Sequence, residues 1–323
     1  MIINNIQVLR ALAAVSVIFF HSLIGIRDYE FQSFTNFFDL GDFGVDIFFV
    51  ISGFIMVFIK NKYKRNSINF IGQRLKRIVP LYWFFNFLIL FLFLLFPSIF
   101  NTLQISFYHF FLSLFFLSQY IFLSYPIVTA GWTLEYEFFF YILFAIFINI
   151  KNDRLFYFTI FSIIIIFYFF GKINPIVIEF LFGMLIGIIY IYKNKLLKKI
   201  LKNYCYYFII FGFIILLVSV FASLEIHRLI KYGFPSSLIV LGCIFAKQIS
   251  NKYAILIGNA SYSIYLAQGF FIPASLKFFK IFFYDFNVIL IFTLLLIGSL
   301  LFGLFIYYFI DRNLNLLIKK LII

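Results

Sequence analysis

The chain has 323 residues, 65% of them hydrophobic and only 12% charged, with a mean hydropathy of +1.09. No soluble domain of this length could carry that surface, so the sequence predicts a polytopic membrane protein. The net charge of +14 does not point to nucleic acid, because the Lys and Arg residues cluster in short loops between apolar runs, where they act as topology signals.

Several compositional features carry no function of their own. Phe supplies 55 residues, which AT-rich coding explains as readily as a need for aromatic surface. The two cysteines, Cys205 and Cys243, lack metal-ligand spacing, and neither a disulfide nor a metal site is expected. The N-terminus has no basic n-region or small-residue cleavage site, and its first apolar run holds Arg10, so this helix is expected to stay in the protein. With no repeat, linker or soluble appendage visible, a single integral domain is expected over residues 1–323.

Apolar runs long enough to span fall at 6–26, 43–59, 79–96, 132–150, 155–171, 175–192, 205–223, 232–247, 254–275 and 288–310. The expected fold is therefore an all-α bundle of about ten transmembrane helices. An eleventh stretch, 103–123, is interrupted by Gln104, Ser106, His109, Ser113, Ser118 and Gln119. Charge counting decides its role. With ten spans and a cytoplasmic N-terminus, nineteen Lys and Arg lie in inner loops and six in outer ones. If 103–123 also crossed, the split would become twelve against thirteen and the bias would vanish. The stretch is thus read as a re-entrant or interfacial element on the outer side, and both termini are expected on the cytoplasmic face of a plasma membrane.

The first span carries Arg10 and His21. Eleven positions at about 100° each bring both onto one helical stripe, roughly 16 Å apart along the axis. Ionisable groups at this depth are costly and read as an interior site; a snorkelling Arg and a bonded core His are the structural alternative. The second span opens near Asp46 and the fourth holds Glu137, both expected near the depth of His21. A histidine beside a carboxylate suits general-base catalysis, the carboxylate orienting the ring. The structural alternative for either acid is a buried carboxylate capped by amides or paired with Lys or Arg.

Ahead of the third span, Arg74 and Arg77 share one face of a helical turn. Two forked guanidiniums suit polyanionic phosphates, while positive-inside anchoring explains them equally well. Gly41, Gly44, Ser52 and Gly53 are small residues that allow close helix packing or approach to a ligand. Trp132 and Tyr136 fit an interfacial aromatic belt.

Together these segments resemble the acyltransferase-3 family of bacterial integral-membrane acyltransferases. The resemblance rests on Arg10 with His21; on Gly44-Val45-Asp46-Ile47-Phe48-Phe49-Val50-Ile51-Ser52-Gly53-Phe54; on Arg74, Arg77, Pro80 and Tyr82; and on Trp132-Thr133-Leu134 with Glu137, Phe140 and Tyr141. Gly258 to Leu266 matches more weakly. Thr133 stands for the family's Ser, Gln268 for a frequent His, and Asp311-Arg312-Asn313 for Glu-Arg-Pro. The resemblance implies an O-acyltransferase taking an acyl group, commonly acetyl, from acyl-CoA (acetyl-CoA in that case) to a cell-surface polysaccharide or lipid-linked sugar. It further implies that His21 is catalytic and that Arg10, Arg74 and Arg77 bind the donor. Tyr82 joins them in the donor-binding motif, Asp46 and Glu137 serve His21, and Ser52, Gly53, Trp132 and Thr133 line the site. A transporter with a buried Arg, His and carboxylate path is the competing reading, and a non-catalytic partner of a polysaccharide-assembly complex is a third. The acceptor and the oligomeric state stay open at this point.

Overall fold

The computed structural model describes residues 3–28, 41–62, 66–97, 105–122, 124–171, 173–192, 195–222, 226–283 and 287–321. Among them there is no strand. The twelve α-helices are α1 (Asn4–Asp28), α2 (Phe43–Lys62), α3 (Ser67–Leu95), α4 (Phe107–Leu114), α5 (Trp132–Phe147), α6 (Asp153–Phe169), α7 (Ile178–Tyr192), α8 (Lys195–Phe221), α9 (Phe234–Phe245), α10 (Lys252–Phe282), α11 (Val288–Ile306) and α12 (Arg312–Leu321). Helices are the expected answer to an apolar solvent, since each backbone donor finds its acceptor within the same segment. Asparagine supplies many of the starts: Asn66, Asn152, Asn251 and Asn287 each accept a hydrogen bond from a backbone N–H of the first turn.

Every predicted apolar run is helical, but fewer than ten reach spanning length. Among the described residues, eight helices are long and apolar enough to cross a membrane. The two runs left out are α6, with 17 residues, and α9, which with the π-helical turn before it runs Leu229–Phe245; α5 and α7 reach spanning length only with the 3-10 turns Thr129–Gly131 and Pro175–Val177 that precede them. At 1.5 Å per residue α6 measures roughly 26 Å, below the roughly 30 Å of a hydrocarbon core. A π-helical turn, Leu229–Gly233, extends α9 at its start.

The stretch near 103–123 does not cross. Its helix α4 has eight residues, about 12 Å of rise. Phe116 then adopts φ 61°, in the left-handed region, and the chain turns back into a π-helical segment, Ser118–Phe122. Side-chain ties confirm that loops expected on one side lie together. Lys60 pairs with Asp153, Asn149 donates to Ser67 Oγ at 3.0 Å, and Asn5 donates to the carbonyls of Cys243 and Lys247. An extra crossing at 103–123 would have put Lys60 and Asp153 on opposite faces. Lys64, Arg65, Lys172 and Lys193 of the charge count, and Leu103, Gln104 and Leu123 of the re-entrant stretch, lie outside the described residues.

Helix pairs α1 with α10, α2 with α7 and α8 with α9 form the most extensive seams among the described residues. Small residues make the second of these possible. A Cβ on Gly53 would strike the Phe180 backbone carbonyl, and one on Gly183 would strike that of Val50. With no hydrophobic drive between helices in lipid, such backbone approach carries the packing. Gly53 therefore belongs to the α2–α7 seam and lies outside the cavity walls described below. Helix α3 begins at Ser67, well before the predicted span, and continues through Pro80. Arg74, Arg77 and Tyr82 thus stand on one continuous rod.

Candidate active site

A cavity opens between α1, α2, α3, α5, α7 and α10, with about 760 Å³ of space in it when the open solvent at its mouth is included. Its polar wall gathers Arg10 from α1, Ser52 from α2, Arg74 and Arg77 from α3, and Thr133, Glu137 and Tyr141 from α5. The apolar wall comes from Phe48, Phe49, Met56 and Phe180 among others.

Glu137 is the carboxylate of this cavity. Ser52 Oγ donates to it at 2.8 Å, and the Tyr141 hydroxyl donates to the same oxygen. Arg10 lies within electrostatic range of Glu137, Arg74 and Arg77. Its only side-chain hydrogen bond among the described residues is a long one, 3.4 Å to Gln7 Oε1 one turn away. Arg74 is buried, with its guanidinium 5.8 Å from the Tyr141 ring centre and 6.0 Å from that of Phe70. Its Nε has no hydrogen-bond partner. Arg77 is exposed at the rim. None of the three arginines forms an ion pair among the described residues. Glu137 is the one carboxylate in the cavity lining, and buried Asp311 lies within electrostatic range of Arg77 behind it, so positive charge still exceeds negative around the cavity; a buried guanidinium without an ion-pair partner is costly.

Thr133 Oγ1 and the Tyr265 hydroxyl are hydrogen-bonded at 2.9 Å, so the Thr at this motif position keeps the bonding role of a hydroxyl. Trp132 opens α5 and is half-buried; its carbonyl accepts from Gln119 Nε2 at 2.8 Å. It serves the re-entrant element and does not line the cavity. Tyr82 is fully buried, and its hydroxyl donates to the Ser113 carbonyl at 3.1 Å. Ser113 Oγ in turn donates to Asn86 at 2.7 Å. Tyr82 thus ties α4 to α3 and does not line the cavity.

His21 stands half-buried, about 16 Å along α1 from Arg10 by helical rise. Its Nδ1 lies 3.0 Å from the Val17 carbonyl and 3.3 Å from the Gln268 amide. Neither expected carboxylate bonds to it. Asp46, wholly buried, accepts from Arg228 Nη2 at 2.7 Å. Glu137 meets Ser52, which lies six positions deeper in α2 than Asp46, about 9 Å by rise. The common depth expected for His21, Asp46 and Glu137 is therefore corrected. Helical rise places Asp46 and Glu137 at different levels, and each is held by its own partners.

Several residues of this architecture were not singled out by the sequence reading. Arg228 forks onto Asp42 at 2.7 and 3.2 Å as well as onto Asp46, yet it counted only as an outer-loop charge. Glu179, wholly buried in α7, lies within electrostatic range of Asp46, and neither of its carboxylate oxygens has a hydrogen-bond partner among the described residues. A scan for carboxylates inside apolar runs would have found it. Glu135, also wholly buried, accepts the backbone N–H groups of Ser118 and Gln119 at 3.0 and 2.8 Å and pins the re-entrant segment.

The fold and cavity define a multi-pass membrane protein built around an interior cavity lined by three arginines. A family model described as an acyltransferase domain matches residues 3–308, and the chain belongs to this acyltransferase-3 family. That membership makes it an acyltransferase and sets aside the transporter and scaffold readings. It is 31% identical over 264 residues to the exopolysaccharide production protein ExoZ of Rhizobium meliloti (strain 1021), covering 74% of this chain and 79% of that protein. No solved structure matches the chain.

Proposed function

We propose that the protein transfers an acyl group, acetyl in the simplest case, from cytoplasmic acyl-CoA to a hydroxyl of a cell-surface or lipid-linked polysaccharide. The observation that carries this reading is the cationic cavity, in which Arg10, Arg74 and Arg77 face a single carboxylate. The buried Nε of Arg74 lacks a partner, and a phosphate oxygen is a fitting acceptor for it. The polysaccharide acceptor follows from the relative's role in exopolysaccharide production.

In this reading Arg74 and Arg77 hold the donor's phosphates at the cytoplasmic end, and Arg10 guides its arm toward His21. His21 takes the proton of the acceptor hydroxyl as the hydroxyl oxygen attacks the thioester carbonyl. The carbon–sulfur bond breaks, and His21 returns the proton to the departing thiolate. Glu137, fixed by Ser52 and Tyr141, balances Arg10 within the cavity. The enzyme would sit in a bacterial plasma membrane with both termini cytoplasmic.

Mass spectrometry of surface glycans tests the reading. A deletion strain should lose an acyl substituent that the wild-type gene restores and His21→Ala does not. Identical glycans in all strains would contradict it.

A further inference from the structure

With both carboxylates engaged elsewhere, the group that orients His21 must be sought among its actual neighbours. Asp42 is the carboxylate within electrostatic range of the ring, and both of its oxygens accept from Arg228. The two groups in hydrogen-bonding contact are the Val17 carbonyl and the Gln268 side chain, both directed at Nδ1.

A carbonyl oxygen only accepts, so the 3.0 Å contact to Val17 requires the proton to be on Nδ1. A protonated Nδ1 cannot accept from an amide NH2, and the Gln268 atom facing it at 3.3 Å must then be the amide oxygen. The two ends of a glutamine amide exchange by a half-turn of the last side-chain bond, and the assignment follows the hydrogen-bond network. Gln268 is 1% exposed, and the other polar atom of its amide has no partner. After the half-turn that atom is a free NH2 donor buried beside the imidazole.

We propose that Gln268 is a positioning residue for His21: its amide oxygen, together with the Val17 carbonyl, holds the ring in the Nδ1–H form and leaves Nε2 as the nitrogen that takes the hydroxyl proton. The inference rests on the reading of His21 as the base. It gives α10 a part in the reaction, with an amide filling the orienting place that a carboxylate fills in a triad.

The test is 15N NMR of histidine-labelled protein in lipid nanodiscs, paired with transfer kinetics. The chain has three histidines, so His109→Gln and His227→Gln assign the His21 signals. Wild type should show a protonated Nδ1 and a bare Nε2. Gln268→Leu should shift the Nδ1 resonance and lower kcat by about tenfold, the worth of one hydrogen bond, with KM for acyl-CoA unchanged. Gln268→Glu keeps an acceptor at the same reach and should restore both. A proton on Nε2 in the wild type would overturn the proposal, as would a leucine variant matching wild type in spectrum and kcat. If Gln268→Leu fails to fold, the wild-type tautomer and the glutamate variant decide. Should the spectra behave as stated while His21→Ala transfers normally, the positioning contact stands and the role of His21 as base falls.

Discussion

Asp46 accepts a hydrogen bond from Arg228 Nη2 at 2.7 Å across 182 residues of sequence. One of the two carboxylates expected beside His21 is instead held by a guanidinium fork that Arg228 also extends to Asp42. Asp46 is fully buried, whereas the Arg228 side chain is 31% exposed. The pair therefore anchors the segment before α9 to the start of α2.

Removing Arg228 strands a buried carboxylate. Arg228→Met should destabilise the protein by roughly 3 kcal/mol, read as a lowered midpoint of thermal unfolding in detergent. Adding Asp46→Asn should recover part of that loss, because the uncompensated charge disappears. An unchanged midpoint for Arg228→Met would show that the fork contributes nothing.

Arg74 and Arg77 should both raise KM for the acyl donor when replaced by alanine, by roughly ten- to a hundredfold. Their salt responses should differ. Arg77 is exposed, and its share should fade between low and high ionic strength, whereas that of buried Arg74 should persist. Initial-rate kinetics at two salt concentrations separate the two. Lysine should substitute poorly at position 74, since a point charge lacks the guanidinium fork.

Glu137→Gln removes the cavity's counter-charge while keeping an acceptor for Ser52 and Tyr141. The three guanidiniums would then attract the anionic donor more strongly, and KM for acyl-CoA should fall severalfold with a steeper salt dependence. A rise in KM would mean that Glu137 contacts the donor directly.

Much of this was legible from the sequence. The ten apolar runs were visible because a membrane helix must satisfy its own backbone, and the Lys and Arg bias rejected a crossing at 103–123 because one extra span reverses every later loop. Arg10, Arg74, Arg77 and Glu137 stood out as ionisable residues within or just ahead of apolar runs, and all four line one cavity. What sequence spacing could not supply was partner choice between helices distant in the chain. Asp46 finds Arg228 and His21 finds Gln268 only once α1, α2, α10 and the segment before α9 have packed. Tyr82 and Gly53 belong to motifs but serve the α3–α4 tie and the α2–α7 seam. A motif records that a position is constrained, and packing and chemistry constrain equally well.

The relative placement of the loops yields a labelling test. Single cysteines at Asn61, Lys151 and Lys195, in a background lacking Cys205 and Cys243, should react with a membrane-impermeant maleimide from the same side, and one at Arg27 from the other. Opposite labelling of Asn61 and Lys151 would mean that 103–123 crosses the membrane, against the Lys60–Asp153 pair.

The measurement that bears most directly on the central claim is acyl transfer by the purified protein in nanodiscs, followed with acetyl-CoA labelled in the acetyl group. Wild type should consume acetyl-CoA in the presence of a polysaccharide acceptor and place the label on it. Folded His21→Ala should bind acetyl-CoA with near wild-type affinity yet transfer at least a hundredfold more slowly. Normal transfer by His21→Ala would contradict the account.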